Sequence, residues 1–264
     1  MKPTILQEIF QVKRTRVEAA KRETNSDLLW KQAEEVRAAS KPHRLGKVLQ
    51  NVDKINIIAE IKRASPSRGV INDKIDVAET AKSYERGGAA AISVLTEEDR
   101  FRGSLEDLKI AASSVEIPIL RKDFIFDEFQ IAEAAASGAD AVLLIAAMLD
   151  DEVMTKLYRL AEREFNLDIL LEVHTLEELK RAAAIGAKII GVNNRDLHSF
   201  TVSLDVSREL IKQAPAHALM IAESGLQTRE DLFELKSLGY SGFLIGETLM
   251  KSGDAENELR KLQL

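Results

Sequence analysis

From residue 56 onward, short apolar runs alternate with longer stretches of helical periodicity, and this alternation recurs eight times. Repeated units of this kind predict a parallel sheet covered by helices, and not separate β and α domains. The predicted strands span residues 56–62, 90–95, 118–121, 141–145, 168–173, 188–193, 218–223 and 242–245. Eight units within about 210 residues fit a closed (β/α)8 barrel, the TIM barrel. A doubly wound open sheet is the alternative, but no glycine-rich dinucleotide motif follows the first strand.

Helical patterns lie between the predicted strands, for example at residues 76–86, 127–137, 151–165, 176–185, 205–212 and 229–238. Several of these patterns are followed by glycine, which a left-handed C-terminal cap favours. The glycines at these positions are Gly87, Gly88, Gly138, Gly186 and Gly239.

The chain before the barrel carries apolar positions at helical spacing over residues 4–39. Asn25, Ser26 and Asp27 offer an N-cap for a second helix in this region. Pro42 and Gly46 then interrupt the helical pattern shortly before the first strand. We therefore predict one domain over residues 1–264, in which residues 1–48 form a helical extension that packs on its own barrel.

Composition limits the classes of function. The chain has 264 residues and is 45% hydrophobic, enough for a large core, and it has no long apolar segment and no signal-peptide pattern. We expect a cytoplasmic protein that binds no membrane. The absence of cysteine excludes disulfides and thiolate chemistry, and the four histidines lack metal-ligand spacing, so no metal site is predicted. The formal charge of −6 argues against non-specific nucleic-acid binding.

The first predicted strand becomes charged as it ends. Side chains alternate along a strand, so Ile58, Glu60 and Lys62 share one face, opposite Ile57, Ala59 and Ile61. An acid and a base in an apolar strand are costly to bury unless they pair, meet water or meet a ligand. A structural Glu–Lys pair explains one such strand end, but similar ends recur along the chain and favour a functional site.

In a (β/α)8 barrel the active site lies at the carboxyl ends of the strands, and polar residues do cluster there in this sequence. They are Glu60 and Lys62 on the first strand, Lys122 and Asp123 after the third, Glu172 and His174 on the fifth, Asn193, Asn194 and Arg195 after the sixth, and Glu223 and Ser224 on the seventh. Ordinary capping or contact with solvent explains Asp123, Asn194 and His198. The remaining residues are expected to converge on one mouth.

Glycines follow the seventh and eighth strands, where backbone N–H groups could approach a ligand. Loops 7 and 8 are the frequent phosphate site of such barrels, which predicts phosphate binding near Gly225 and Gly246. The alternative is that these glycines serve turns only. The carboxylate of Glu247 would repel a phosphate unless its side chain points away.

Eight short segments form an ordered set across most of the chain: EIKRASPSRG at 60–69, SVLTE at 93–97, FRGS at 101–104, LRKDF at 120–124, LEVH at 171–174, GVNNR at 191–195, AESG at 222–225 and GETLM at 246–250. This set resembles the indole-3-glycerol-phosphate synthase family of tryptophan biosynthesis. The helix beginning near Ile5 and Leu6 also resembles the N-terminal extension of that family.

The resemblance implies a carbon–carbon carboxy-lyase that needs no cofactor. Its reaction would be the decarboxylating ring closure of 1-(2-carboxyphenylamino)-1-deoxyribulose 5-phosphate to indole-3-glycerol phosphate, with release of carbon dioxide and water. By the same resemblance, Lys122 would be the general acid of ring closure and Glu172 the main acid/base group of dehydration. Lys62 could share or exchange the acid role, while Glu60, Asn193 and Glu223 would orient the lysines and the substrate hydroxyls.

The resemblance also assigns the binding residues, which fall into three groups. Ser65 and Arg195, with Lys62, would meet the substrate carboxylate, for which the arginine fork is suited. The phosphate would meet Ser224, Gly225, Gly246 and Glu247, the last through its backbone N–H. The aromatic ring would lie among Pro66, Phe101, Phe124 and Leu143.

Two other functions remain open on the sequence. A phosphoribosylanthranilate isomerase would use an acid/base pair on a similar substrate without losing carbon dioxide, although the N-terminal helix and the Glu60–Lys62 segment argue against it. A non-catalytic phosphosugar-binding barrel would leave Lys122 and Glu172 unexplained. The expected partner is a small phosphosugar, and a monomer is favoured over an oligomer.

Overall fold

Eight parallel strands close into a barrel, as the repeated strand–helix pattern predicts. The computed structural model describes residues 5–66, 69–197 and 199–264. The barrel strands, β1 to β8 in chain order, are Ile57–Ile61, Ala91–Leu95, Ile119–Lys122, Ala141–Ile145, Asp168–Val173, Ile189–Asn193, Leu219–Glu223 and Gly242–Ile245. Each strand pairs with its neighbours in the sequence, and β1 pairs with β8 to close the sheet. Every strand boundary lies within one residue of its predicted position.

Twelve α-helices are present in the described ranges. They are α1 (Ile5–Glu23), α2 (Ser26–Ala38), α3 (Arg44–Leu49), α4 (Val77–Arg86), α5 (Leu105–Ser114), α6 (Glu128–Ala136), α7 (Asp151–Arg163), α8 (Leu176–Ala184), α9 (Asp205–Leu210), α10 (Arg229–Ser237), α11 (Glu247–Lys251) and α12 (Ala255–Gln263). The predicted cap of the second helix is confirmed, because Asn25 Oδ1 accepts from the Leu28 N–H at 3.1 Å. Within the described ranges, no helix has the length and apolar character that crossing a membrane requires.

The predicted break at Gly46 is wrong, because this glycine lies inside α3. Its N–H donates to Asp168 Oδ2 at 2.9 Å, and a Cβ at this position would stand 3.3 Å from Asp168 Oδ1. The glycine therefore allows α3 to approach the start of β5 closely. Among the predicted glycine caps, Gly88, Gly138, Gly186 and Gly239 have positive φ, whereas Gly87 has a φ of −72°.

The strands separate two apolar regions by their alternating side chains. The barrel interior is filled by one set of buried residues, which includes Ile58, Leu120, Leu143, Leu170, Ile189, Ile221 and Leu244. Leu45 and Leu49 of α3 belong to this interior set. Ile57, Ala59 and Ile61 instead belong to the larger layer between the strands and the helices. The predicted division of faces along β1 is thus confirmed, and Glu60 and Lys62 follow Ile58 toward the mouth.

The helical extension is attached to that mouth by charged side chains. Lys13 of α1 is buried, and its Nζ lies 2.8 Å from Asp123 Oδ2 and 3.0 Å from Glu98 Oε2. Arg16 forms two hydrogen bonds with Asp99, at 2.7 and 2.8 Å. Contact with solvent therefore does not explain Asp123, because its carboxylate is buried: Oδ1 accepts from the Phe124 N–H, and Oδ2 pairs with the extension.

Candidate active site

A cavity of about 960 Å³ opens at the carboxyl ends of the strands. Its lining includes every residue to which the sequence assigned a catalytic or binding role except Glu223, which is buried; the strand-end residue His174 does not line it either. The lining candidates are Glu60, Lys62, Ser65, Pro66, Phe101, Lys122, Phe124, Leu143, Glu172, Asn193, Arg195, Ser224, Gly225, Gly246 and Glu247. The structure thus brings the predicted residues together at one mouth, as the barrel topology requires.

Four charged residues of the site come from alternate strands. Glu60, Lys122, Glu172 and Glu223 belong to β1, β3, β5 and β7. In a (β/α)8 barrel the inward side chains of alternate strands form one layer, so these four groups meet at similar depth. The layers below them are apolar, which leaves the charged groups to interact with one another and with the cavity.

Lys122 lies between two carboxylates. Its Nζ is 2.5 Å from Glu223 Oε2 and 3.6 Å from Glu172 Oε2. Burial opposes the charge of the ammonium, but Glu223, Glu172 and Glu60 outweigh that effect and raise the pKa of Lys122. Lys122 is therefore a protonated group in contact with two acids, the arrangement that a proton transfer requires.

Glu223 is a buried carboxyl group whose pKa lies well above its ordinary value. Burial raises its pKa to about 7, against the opposing effect of Lys122, and the charge of Glu172 adds to the rise. Its Oε1 atom is buried and has no hydrogen-bond partner in the described chain. Glu223 therefore responds to pH near neutrality and controls the charge beside Lys122.

Glu60 and Lys62 form the second acid–base pair, as their shared strand face predicts. Lys62 Nζ donates to Glu60 Oε1, and Glu60 is buried while Lys62 reaches the cavity. Burial acts to raise the pKa of Glu60, but Lys62 and Lys122 outweigh it, so that this pKa is lowered. Glu60 thus remains ionised, and its negative charge contributes to the raised pKa of Lys122.

Two glycines leave the space that these carboxylates occupy. A Cβ at Gly191 on β6 would overlap Glu223 Oε1, and a Cβ at Gly246 would overlap Glu60 Oε1. Sequence reasoning assigned Gly246 to phosphate only and did not identify Gly191. A glycine inside an apolar strand does signal close approach of another group, and this signal was available at Gly191.

The end of the cavity assigned to the substrate carboxylate contains Arg195 and Ser65. The Arg195 N–H donates to Asn193 Oδ1 at 3.0 Å, and the Arg195 guanidinium donates to the Phe200 carbonyl at 3.3 Å. Asn193 therefore orients the strand end that carries the arginine. Ser65 belongs to a two-stranded hairpin with Gly69, beyond β1.

Part of the cavity lining is apolar. The rings of Phe101 and Phe124 have centroids 6.1 Å apart and are tilted by 47°, and Leu143 lies in the barrel below them. Leu6 and Ile9 of α1 also line the cavity. Sequence reasoning placed these two residues on the extension but not at the site, because the docking of α1 depends on distant contacts.

The loops after β7 and β8 form the remaining end. Ser224 and Gly225 have φ values of 65° and 80°, and at Gly225 a Cβ would lie 2.5 Å from Val202 Cγ1. Glu247 Oε1 accepts from Lys251 Nζ at 2.6 Å, one helical turn further along α11. The carboxylate that sequence reasoning identified as unfavourable for phosphate is therefore paired with a cation.

The residues judged structural have different outcomes. Asn194 is buried, and its Oδ1 accepts from the Ser207 N–H at 3.1 Å in the first turn of α9, in agreement with a capping role. Its amide also donates to the Glu223 carbonyl at 3.0 Å. His198 lies outside the described residues, as do Ser67 and Arg68 of the first motif.

Comparison with known proteins identifies the family. A family model described as indole-3-glycerol phosphate synthase matches residues 6–262. The indole-3-glycerol phosphate synthase of Carboxydothermus hydrogenoformans is 44% identical over 264 residues, which cover 97% of this chain and 98% of that protein. The protein of the same name from Koribacter versatilis is 50% identical over 208 residues, covering 79% of this chain and 80% of its own.

A solved structure agrees with the fold. Thiamine phosphate pyrophosphorylase from Pyrococcus furiosus superposes with a TM-score of 0.59 at 20% sequence identity, covering 79% of this chain and 93% of that one. At this level of identity the likeness concerns the barrel alone, whereas the family model and the two synthases match the sequence itself. The chain therefore belongs to the indole-3-glycerol phosphate synthase family.

Proposed function

We propose that this chain catalyses the reaction of its family through the charged layer at the barrel mouth. The enzyme is a carboxy-lyase that closes the ring of 1-(2-carboxyphenylamino)-1-deoxyribulose 5-phosphate to give indole-3-glycerol phosphate, carbon dioxide and water. The observation that supports the proposed site best is the position of Lys122 Nζ, 2.5 Å from Glu223 and 3.6 Å from Glu172 at the cavity wall.

Lys122 is the general acid of ring closure in this proposal. A carbon of the aromatic ring attacks the sugar carbonyl, whose oxygen then gains negative charge and takes a proton from the Lys122 ammonium. The raised pKa of Lys122 keeps this group protonated before the step. The carboxylate on the attacked ring position leaves as carbon dioxide, and its bonding electrons restore the aromatic ring.

Glu172 is the main acid/base group of dehydration. The new hydroxyl leaves as water after it gains a proton, and the five-membered ring loses a proton to complete the indole. Glu172 lies across Lys122 from Glu223, so a proton can pass between the ammonium and the Glu172 carboxylate. Lys62 shares the acid role, since it also lines the cavity and is hydrogen-bonded to a buried glutamate.

Substrate orientation follows from the three sections of the cavity. Arg195, Ser65 and Lys62 bind the carboxylate, and the Phe101–Phe124 section holds the aromatic ring. Pro66 and Leu143 complete the ring pocket, and backbone N–H groups at Ser224, Gly225, Gly246 and Glu247 bind the phosphate. This placement puts the sugar carbonyl between the two ends, beside Lys122.

Product analysis tests the reaction. Wild-type enzyme is given the carboxyphenylamino-deoxyribulose phosphate in a chelator-containing buffer, and indoleglycerol phosphate is followed by its fluorescence. We expect indole product and carbon dioxide in equal amounts. The same enzyme is then given phosphoribosylanthranilate, and isomerisation of that compound without indole formation would show that the rival isomerase function is correct.

We further propose that the enzyme acts in the cytoplasm as a monomeric single domain, with residues 1–48 as an extension of the barrel. The cavity supports the monomeric, single-domain part of this proposal, because its charged residues and Leu6 and Ile9 of the extension belong to one chain. Light scattering during gel filtration should give the mass of one chain, and a dimer at working concentration would contradict the proposal.

A further inference from the structure

His174 is a buried ionisable group beside the proposed site. Alternation along β5 directs Glu172 and His174 to the same side of the strand, and only 10% of the His174 side chain is exposed. It stands beyond the end of β5, where the chain turns into α8. No step of the proposed reaction uses it.

The imidazole ring lies between two carboxylates. His174 Nε2 is 3.4 Å from Glu172 Oε1, and His174 Nδ1 is 3.4 Å from Glu178 Oε2. Both nitrogens are buried, and neither makes a hydrogen bond of good geometry to any described residue. Only a doubly protonated ring offers a donor to both neighbours, and small side-chain rotations would complete the two bonds.

Glu178 is held in place by the start of α8. Its N–H donates to Thr175 Oγ1, and its Oε2 accepts from the His174 N–H at 2.7 Å. Burial acts to raise the pKa of Glu178, but the His174 ring and the His174 backbone N–H beside its carboxylate outweigh burial and lower this pKa. The helix cap thus fixes an ionised carboxylate beside Nδ1.

The surrounding charges favour the imidazolium. Burial opposes the charge, but Glu178, Glu172 and Glu223 outweigh it and raise the pKa of His174 above its ordinary value of 6.5. These acids face the ring from α8, β5 and β7, and the nearest cation of the layer, Lys122, lies on the other oxygen of Glu172. The two oxygens of Glu172 therefore face two different cations.

We propose that His174 is a positioning residue for the reaction, an imidazolium that holds Glu172 Oε1 and so keeps Oε2 turned toward Lys122. The proposal rests on the acid/base role proposed above for Glu172. In this proposal Lys122 contacts Glu172, Glu172 contacts His174, and His174 contacts Glu178 in the first turn of α8.

Loss of the imidazolium has a defined electrostatic consequence. Without the imidazolium, Glu172 Oε1 loses its neighbouring cation, and Oε2 is no longer held toward Lys122. In wild type this support is lost as pH rises through the titration midpoint of His174, because its pKa is raised above 6.5 and the ring becomes neutral above it. We expect kcat of His174→Gln to be about tenfold below wild type at pH 6.5, and wild-type kcat to fall toward the variant's value above the His174 midpoint, with KM little changed.

The experiment compares kcat and KM across pH for wild type, His174→Gln and the matched control His217→Gln, whose histidine is exposed. The control should superimpose on wild type. A folded His174→Gln variant whose kcat is lower than wild type by the same factor at every pH would overturn the proposal, because a packing role alone gives that result. If wild type makes no indole product, the proposed function fails instead.

A second measurement does not depend on activity or on the stability of that variant. Nitrogen-15 spectra of the wild-type histidine rings should show His174 protonated at both nitrogens, with a titration midpoint above 6.5. In Glu178→Gln, which removes the flanking charge but keeps the ring, the midpoint should fall. A neutral His174 in wild type at pH 6.5, or a midpoint unchanged by Glu178→Gln, would overturn the proposal.

Discussion

At the residue scale, the candidate site requires a residue without a side chain at position 191. Gly191 on β6 lies beside Glu223 of the neighbouring strand β7, and any Cβ there would displace the carboxylate that Lys122 contacts. We expect Gly191→Ala to lower kcat by about a hundredfold and to destabilise the fold by about 1–3 kcal/mol through overpacking. Steady-state kinetics and urea unfolding measure the two effects.

The control for this prediction is a double-mutant cycle with Glu223→Gln. If Gly191→Ala acts through Glu223, its effect on kcat should be much smaller in the Glu223→Gln background than in wild type. Equal and additive losses in the two backgrounds would show that the glycine acts elsewhere.

The Glu247–Lys251 pair bears on phosphate affinity. Lys251 Nζ holds Glu247 Oε1 at 2.6 Å, at the cavity end assigned to phosphate. Lys251→Met leaves a carboxylate without this cation beside a bound dianion, so we expect KM to rise about tenfold with kcat nearly unchanged. Adding Glu247→Gln should restore KM in the double variant. A double variant as weak as Lys251→Met would mean that Lys251 acts independently of Glu247.

Glu223 links stability to pH. Its pKa is raised from 4.5 to about 7 by burial, so between these values the folded chain binds more protons than the unfolded chain. The free energy of unfolding contributed by this group therefore falls as pH rises through that window. We expect the melting temperature of Glu223→Gln, relative to wild type, to increase from pH 4.5 to pH 7. A constant difference across the window would contradict the assigned shift.

At the element scale, α1 is attached to the barrel by contacts of unequal weight. Lys13 is buried against Asp123. Burial acts to raise the pKa of Asp123, but the positive charges of Lys13 and Arg121 outweigh burial and lower this pKa. Removing one partner of a buried pair leaves an uncompensated charge, so Lys13→Met should destabilise the fold by about 3 kcal/mol or more. Urea unfolding provides the measurement.

Arg16 on the same helix is the matched control for Lys13. It pairs with Asp99, but its side chain is 47% exposed. Exposed ion pairs contribute about 1 kcal/mol or less, so Arg16→Met should have a small effect on the free energy of unfolding. Equal effects at the two positions would contradict the view that the buried pair anchors α1.

At the scale of the whole molecule, periodicity predicted the barrel, and strand-end chemistry predicted the polar residues at its mouth. Ser65, Pro66, Phe101, Phe124 and Leu143 were assigned only by the family resemblance. The β1 pattern placed Glu60 and Lys62 on the inner face because side-chain direction is a local property of a strand. Parallel topology then placed Lys122, Glu172 and Glu223 at the same mouth, although they are far apart in the sequence. Local rules are sufficient wherever a residue's direction depends only on its own element.

The features that sequence reasoning missed depend on contacts between distant elements. Lys13 contacts Asp123, which lies 110 positions further along the chain. A side chain at Gly191 is excluded by the Glu223 carboxylate on the next strand. Leu6 and Ile9 line the cavity only because α1 docks over the mouth. Gly46 was misread for the same reason, since its partner Asp168 begins a strand that lies much further along the chain.

The most direct test of the whole account is the turnover and substrate affinity of Lys122→Ala. The proposed acid role predicts that kcat falls by at least about a hundredfold, because the only acid placed between Glu172 and Glu223 among the described residues is lost. Substrate binding, measured by titration calorimetry, should stay close to wild type, as should both quantities in the exposed-lysine control Lys31→Ala. Turnover of Lys122→Ala at the wild-type rate would contradict the central claim that this lysine is the acid of ring closure.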